Sequence, residues 1–157
     1  MRRLRFTSPH PNDFSDAVIE AMGAVEAVCE HVHLPMQSGS TSMLKRMLRR
    51  YSREEYLACV EKLRARIPGI GLTTDIIVGF PGETDEEFEE TLSAVQAVGF
   101  DDAFTFKFSP RDGTPATRMP AEWAVPDEVS AERLGRLIEA VRAGAREKNL
   151  ALLGQRR

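Results

Sequence analysis

The stretch from Ile70 to Gly99 constrains the fold more than any other part of the chain. Thr73-Thr74-Asp75-Ile76-Ile77-Val78 is a β-branched run of strand length. Gly79-Phe80-Pro81-Gly82 turns the chain, and Thr84-Asp85-Glu86-Glu87 is a capping box that opens a helix carried by Phe88, Leu92, Val95 and Val98 and stopped at Gly99. A strand followed through a short turn by an amphipathic helix is one β-α unit. Such units join by right-handed crossovers into a parallel sheet. The continuous apolar character of the run predicts a strand buried on both faces, as parallel strands are.

The same order recurs along the chain. Arg3 to Thr7 reads as a short strand ended by Ser8-Pro9-His10-Pro11, and Phe14, Val18, Ala21, Met22 and Val25 space a helix over residues 12–28. Glu30 to Pro35 is extended again, Ser40 to Leu48 is a short helix, and Ser52-Arg53-Glu54-Glu55 is a second capping box opening a helix to Ile67. Ala103 to Phe108 reads as a further strand, residues 116–126 as irregular, and Ser130 to Leu153 as a long helix. About four β-α units make an α/β fold of the partial parallel barrel type, roughly half a closed barrel. Residues 1–118 are expected to form the partial barrel, and 119–157 a linker and closing helix of the same domain.

A chain of 157 residues fits one domain, and its 42% hydrophobic and 29% charged residues are ordinary for a water-soluble protein. No apolar run is long enough to span a bilayer, and the basic start Met1-Arg2-Arg3-Leu4-Arg5-Phe6 leads into no hydrophobic signal segment, so a cytoplasmic location is expected. Cys29 and Cys59 form no C-x-x-C pair, and Cys59 falls on one helical face with Tyr56, Val60 and Leu63, which points to core packing. The net charge of -3 argues against a strongly nucleic-acid-coated surface, although Arg2, Arg3 and Arg5, and then Lys45, Arg46, Arg49, Arg50 and Arg53, cluster locally.

Ligands of parallel α/β folds bind beyond the carboxyl ends of the strands, which directs attention to Thr7–Pro11, Pro35–Ser40, Gly79–Thr84 and Ser109–Pro115. Gln37-Ser38-Gly39-Ser40 sets an amide and two hydroxyls at the start of a helix, for a ligand or simply for N-capping. Gly79-Phe80-Pro81-Gly82-Glu83-Thr84 combines backbone freedom with a helix N-terminus but lacks the Gly-Lys-Ser/Thr of a Walker loop. Asp75, a carboxylate inside an apolar strand, needs a partner, whether structural or a ligand. Cys29, His31 and His33 share a strand face at two-residue spacing, a pattern that can hold zinc. The only other histidine is His10, which leaves a metal site short of ligands.

Taken together, Phe6-Thr7-Ser8-Pro9-His10-Pro11, the run from His31 to Ser40, Tyr51-Ser52-Arg53-Glu54-Glu55-Tyr56, the run from Thr73 to Thr84 and Phe104-Thr105-Phe106-Lys107-Phe108-Ser109-Pro110-Arg111 resemble the radical-SAM methylthiotransferases, in order over nearly the whole chain. Leu34-Pro35-Met36-Gln37-Ser38-Gly39-Ser40 and the run from Phe104 to Arg111 are most similar to the branch that modifies N6-isopentenyladenosine at position 37 of tRNA. The resemblance implies a partial barrel holding S-adenosylmethionine against a [4Fe-4S] cluster, a 5′-deoxyadenosyl radical that abstracts hydrogen from adenine C2, and transfer of a methylthio group. Carried over by position, it implies Gln37, Ser38, Asp75, Val78 and Gly79 for S-adenosylmethionine, Lys107 and Arg111 for the substrate, and tRNA as partner.

The family's C-x-x-x-C-x-x-C loop is absent, and Cys29 and Cys59 cannot replace thiolates that converge from one loop or pocket. The chain is therefore expected to correspond to the C-terminal half of the catalytic domain, inactive alone and prone to self-association through its open sheet. Two other readings stay open: a non-catalytic tRNA-binding piece using the cations from Lys45 to Arg53, and a metal-dependent hydrolase using His31 and His33.

Overall fold

The computed structural model describes residues 2–5 and 10–154. Strands β1 (His31–His33), β2 (Gly71–Val78) and β3 (Asp102–Lys107) form a parallel sheet in the order β1-β2-β3. Before, between and after them run α1 (Asp16–Ala24), α2 (Thr41–Arg46), α3 (Arg53–Arg66), α4 (Asp85–Val98) and α5 (Asp127–Ala151). Among the described residues of the expected first strand, Arg3 to Thr7, Leu4 alone pairs, bridging Val28 in parallel. Phe6 to Pro9 lie outside the described residues.

Both capping boxes form. Ser52 and Glu55 open α3, and Thr84 and Glu87 open α4, each pair exchanging side-chain and main-chain hydrogen bonds. Gly99 ends α4 in the left-handed conformation, at φ 53°. The helix expected over 12–28 is shorter, because Pro11–Asp13 makes a 3-10 turn and Ser15 caps α1 through the Val18 N–H. That start turns Phe14, Ile19 and Met22 inward and leaves Val18, Ala21 and Val25 outward, so the expected stripe is corrected on those three residues. The irregular 116–126 stretch holds two short 3-10 turns, Pro115–Arg118 and Ala121–Trp123. Pro126 then opens α5 ahead of Asp127 and Glu128 in its first turn.

The core lies on one face of β2. Leu72, Thr74, Ile76 and Val78 are buried there, and the apolar members pack with Val32, Tyr56, Leu63, Phe88, Val95 and Leu137. The opposite residues, Gly71, Thr73, Asp75 and Ile77, are only half-buried. This corrects the expectation of burial on both faces: the helices cover one side of the sheet, and the side that would line a barrel stays open. Phe104 and Phe106 of β3 share that open side, opposite Asp75 and Ile77, and are 62% and 50% exposed.

A single carboxylate ties α2 to α4. Arg46 donates to both oxygens of Glu87 at 3.0 Å, Ser42 Oγ donates at 2.6 Å and the Thr84 N–H at 3.0 Å. Burial pushes the Glu87 carboxyl up, but the hydrogen bonds from Arg46, Ser42 and Thr84 outweigh it and hold the group below its ordinary value of 4.5. A lowered folded-state value contributes stability above the unfolded one, lost as pH falls through the folded one. Glu87→Gln is expected to cost about 1–3 kcal/mol at neutral pH and to flatten the loss of stability below about pH 4.5, measured by urea denaturation across pH.

Candidate functional site

Past the end of β1 the chain does not leave the sheet. Leu34 N–H donates to Thr73 O at 2.8 Å, Met36 N–H to Thr74 Oγ1 at 2.8 Å and Gln37 N–H to Asp75 O at 2.8 Å, and Ile77 N–H returns to Gln37 O at 3.0 Å. An extra residue lies on the β1 side between the His33↔Thr73 and Gln37↔Ile76 pairings, a bulge that re-aims the strand end. Gln37 takes up the bend at φ 65°, a left-handed conformation that costs a non-glycine residue about 1–3 kcal/mol and persists only where its surroundings enforce it. Tyr51 and Tyr56 enforce it from below, their hydroxyls donating to Met36 O at 3.0 Å and Leu34 O at 2.7 Å.

Helix α4 enforces it from behind. Thr91 Oγ1 donates to Glu87 O at 3.1 Å, so its lone pairs accept the Gly39 N–H at 3.0 Å and the Ser38 hydroxyl at 3.2 Å. Ser38 Oγ in turn accepts the Ser40 N–H at 3.2 Å. A Cβ on Gly39 would stand 2.6 Å from Thr91 Cα, so only glycine fits. Arg53 crosses the back of the loop to Gly39 O, Glu90 O and Ser93 Oγ.

The Gly79–Thr84 loop is clamped by α5. Glu83 lies with its side chain fully enclosed, accepting the Gly79 N–H at 2.7 Å and Arg133 at 2.9 Å, while Arg133 also reaches Asp85 at 2.6 Å. Burial pushes the Glu83 carboxyl up against these hydrogen bonds and the Arg133 charge. Gly79 has φ 71°, and a Cβ there would meet Ser130 Oγ at 2.3 Å, so α5 demands glycine at this strand end. Beside it, a cavity of about 340 Å³ opens at the carboxyl ends of β2 and β3, lined by Gly79, Lys107, Phe108, Met119 and Asp127 among others.

On the open face, His33 Nε2 lies 3.2 Å from Asp75 Oδ1 and His33 Nδ1 2.9 Å from Thr73 Oγ1. Burial, Arg5 and the neighbouring His33 lower the pKa of His31, keeping its ring neutral at pH 7.

The predicted site residues thus divide. Asp75 projects on the open face and keeps one oxygen without a hydrogen bond among the described residues. The Gln37 carboxamide likewise makes no hydrogen bond among them. Ser38 turns inward to Thr91, and Val78 is fully buried on the helix side while its carbonyl accepts the Phe108 N–H. Lys107 Nζ reaches Asp127 on α5 at 2.6 Å, and Arg111 is exposed in the following loop. Gln37 pairs beside Asp75 and Ile76 on β2, Gly79 and Lys107 line the cavity at the ends of β2 and β3, and Arg111 lies in the loop beyond. Sequence reading missed Thr91, Arg53, Glu83 and Arg133. Only the motif context of Gly39 and Gly79 hinted that something packs against each.

The geometry weighs against both open alternatives. Arg46 and Arg53 of the cationic cluster are spent on internal partners. No three His, Cys, Asp or Glu side chains converge to hold a metal among the described residues, and both ring nitrogens of His33 are engaged. Nor do the cysteines fit a [4Fe-4S] cluster, which needs four thiolates or their equivalent: Cys29 precedes β1, and Cys59 sits on α3 with its thiol pushed up by burial.

Thr91→Val and Gly39→Ala are each expected to destabilise the chain by about 1–3 kcal/mol and to broaden the amide resonances of residues 36–40, while Thr91→Ser keeps both close to wild type, measured by denaturant melts and NMR.

The sequence of residues 2–95 matches the family model of the radical SAM superfamily. The chain is 54% identical over 155 residues to the tRNA-2-methylthio-N(6)-dimethylallyladenosine synthase of Caldicellulosiruptor saccharolyticus, covering 99% of this chain and 32% of that protein. It is 58% identical over 153 residues to the synthase of the same name from Bacillus cereus strain B4264, covering 98% of this chain and 30% of that one. The chain thus spans about a third of the length of these relatives. Among solved structures, coproporphyrinogen III oxidase from Escherichia coli, titled a radical SAM enzyme, superposes with a TM-score of 0.72 at 19% identity, over 87% of this chain and 31% of that one. The likeness bears out the partial parallel β/α barrel expected from the β-α order, and with the family match over most of its length this chain belongs to the radical SAM superfamily.

Proposed function

We propose that this chain carries the cofactor-holding strand ends of a tRNA methylthiotransferase that places a methylthio group on C2 of N6-isopentenyladenosine 37, a cytoplasmic activity. The observation that carries this reading is identity of more than half the residues, over 98–99% of the chain, to proteins named as tRNA-2-methylthio-N(6)-dimethylallyladenosine synthases. The residues fit S-adenosylmethionine as a ligand set: the Gln37 carboxamide and the second Asp75 oxygen, both without a hydrogen bond among the described residues, offer side-chain contacts, and Ser38, Val78 and Gly79 shape strand ends held rigid from behind. When bound beside a reduced cluster, S-adenosylmethionine supplies the radical chemistry. The chain's own work is to bind it, fix its orientation and keep the strand-end loops closed to movement.

In this reading Lys107 and Arg111, both exposed, serve the tRNA side, and Lys107 would exchange its pairing with Asp127 for a phosphate. No cluster ligands are found in this chain, so it is inactive alone. Its exposed Phe104 and Phe106 favour self-association of the isolated chain.

The test is a chimera in which this chain replaces the matching segment of the Bacillus cereus relative, expressed in cells lacking the enzyme. Restored 2-methylthio modification of tRNA, read by nucleoside mass spectrometry, is expected, with loss of at least about tenfold in Gln37→Ala or Asp75→Asn. A folded chimera that leaves adenosine 37 unmodified would contradict the proposal. The chain alone, reconstituted with iron and sulfide, is expected to show no cluster absorbance, and a stable cysteine-bound cluster would count against the division of labour.

A further inference from the structure

Four polar side chains stand in a row across the open face of the sheet. His31 Nε2 is 3.5 Å from Thr73 Oγ1, Thr73 Oγ1 is 2.9 Å from His33 Nδ1, and His33 Nε2 is 3.2 Å from Asp75 Oδ1. The row alternates between β1 and β2, and the parallel register that pairs His31 with Gly71 and His33 with Thr73 brings it together.

The hydrogens in this row can be assigned. An ionised carboxylate only accepts, so the neutral His33 ring carries its hydrogen on Nε2. Nδ1 then accepts the Thr73 hydroxyl, whose oxygen remains free to accept from His31 Nε2–H. Every donor points the same way, and the row ends at Asp75. The Phe104 ring stands edge-on to His33 with centroids 5.9 Å apart and closes its flank. With a side chain only 13% exposed and both nitrogens engaged, His33 has no atom left for a ligand, whereas Asp75, at 28%, keeps its second oxygen.

We propose that His33 is the positioning residue for Asp75: it fixes one carboxylate oxygen so that the other is presented, at a set angle, to a hydroxyl or amine donor of a ligand lying over the open face. A carboxylate on a strand rim otherwise samples several rotamers and loses that freedom on binding, whereas one already held does not. Thr73 sets the tautomer by filling Nδ1, and His31 backs Thr73 in the same way. The inference rests on the reading of Asp75 as a cofactor contact, and its test separates the two.

The first measurement uses the chain itself. Long-range proton–nitrogen NMR is expected to show the neutral His33 ring as the Nε2–H tautomer, with the Nε2 resonance shifted in Asp75→Asn because its acceptor is changed. An Nδ1–H tautomer, or an Nε2 resonance indifferent to Asp75→Asn, would overturn the pairing whatever Asp75 contacts.

The second uses the chimera described above. Asp75→Asn and His33→Leu are each expected to raise KM for S-adenosylmethionine about tenfold with kcat little changed, and the double variant to be no worse than either single one. His33→Gln, whose amide can still donate to Asp75, is expected to recover most of the loss. A purely structural histidine would instead make Gln and Leu equally damaging, which would overturn the proposal. So would an unchanged KM in His33→Leu beside a raised one in Asp75→Asn. If the NMR result holds and Asp75→Asn leaves KM unchanged, the cofactor role of Asp75 falls, and with it the function assigned to His33.

Discussion

The pairing of β2 with the chain beyond β1 is the constraint on which the rest of the structure depends. Thr73, Thr74 and Asp75 each contribute an acceptor to the segment from Leu34 to Gln37, and Ile77 closes the pairing by donating back. One residue too many on the β1 side forces the bulge, and the bulge forces Gln37 into a left-handed conformation. Nothing within the segment itself would maintain that geometry. It is maintained by Tyr51 ahead of α3 and by groups from α3 and α4: two tyrosine hydroxyls, one threonine hydroxyl and one guanidinium, each satisfying main-chain atoms of the loop. Strain at a strand end, held by a rigid scaffold, is the arrangement expected where a ligand must be met without reorganisation.

The two faces of β2 then serve different ends. The helix-side face supplies the burial that holds the domain together, through Leu72, Ile76 and Val78 against α3, α4 and α5. The other face supplies chemistry, because a half-buried surface tolerates an ionised carboxylate only if that carboxylate is partnered, and His33 partners it. Helix α5 belongs to the same scheme. Arg133 and Ser130 lie deep against Glu83 and Gly79, so the last helix fixes the turn that follows the central strand.

Much of this was legible in the sequence. Both capping boxes were visible because their chemistry is local, a hydroxyl and a carboxylate three residues apart. The β-α order, strands expected at 30–35, 73–78 and 103–108 and found at 31–33, 71–78 and 102–107, and the glycine stop at Gly99 followed from periodicity and turn residues. The covering of β2 did not: a run such as Thr73 to Val78 is equally apolar whether one face or both are covered, and only the tertiary structure decides. The helix boundary at Ser15 was missed because the spacing of Phe14, Val18 and Val25 mimicked a longer helix. At the site, Asp75 was conspicuous as a carboxylate in an apolar run, and His33 as half of a His-x-His pair. That they are each other's partner depends on strand register, which no local pattern encodes. Thr91 and Arg53 were invisible for the same reason, since each acts on a loop far away in sequence.

The most direct measurement of the central claim is amide hydrogen exchange resolved to single residues in the intact chain. If the segment after β1 is an integral part of the sheet, held from both sides, the amides of Met36, Gln37 and Gly39 exchange as slowly as that of Ile77, through the same global opening. Fast exchange at those three positions, while Ile77 stays protected, would show an ordinary mobile loop and contradict the pre-formed strand end.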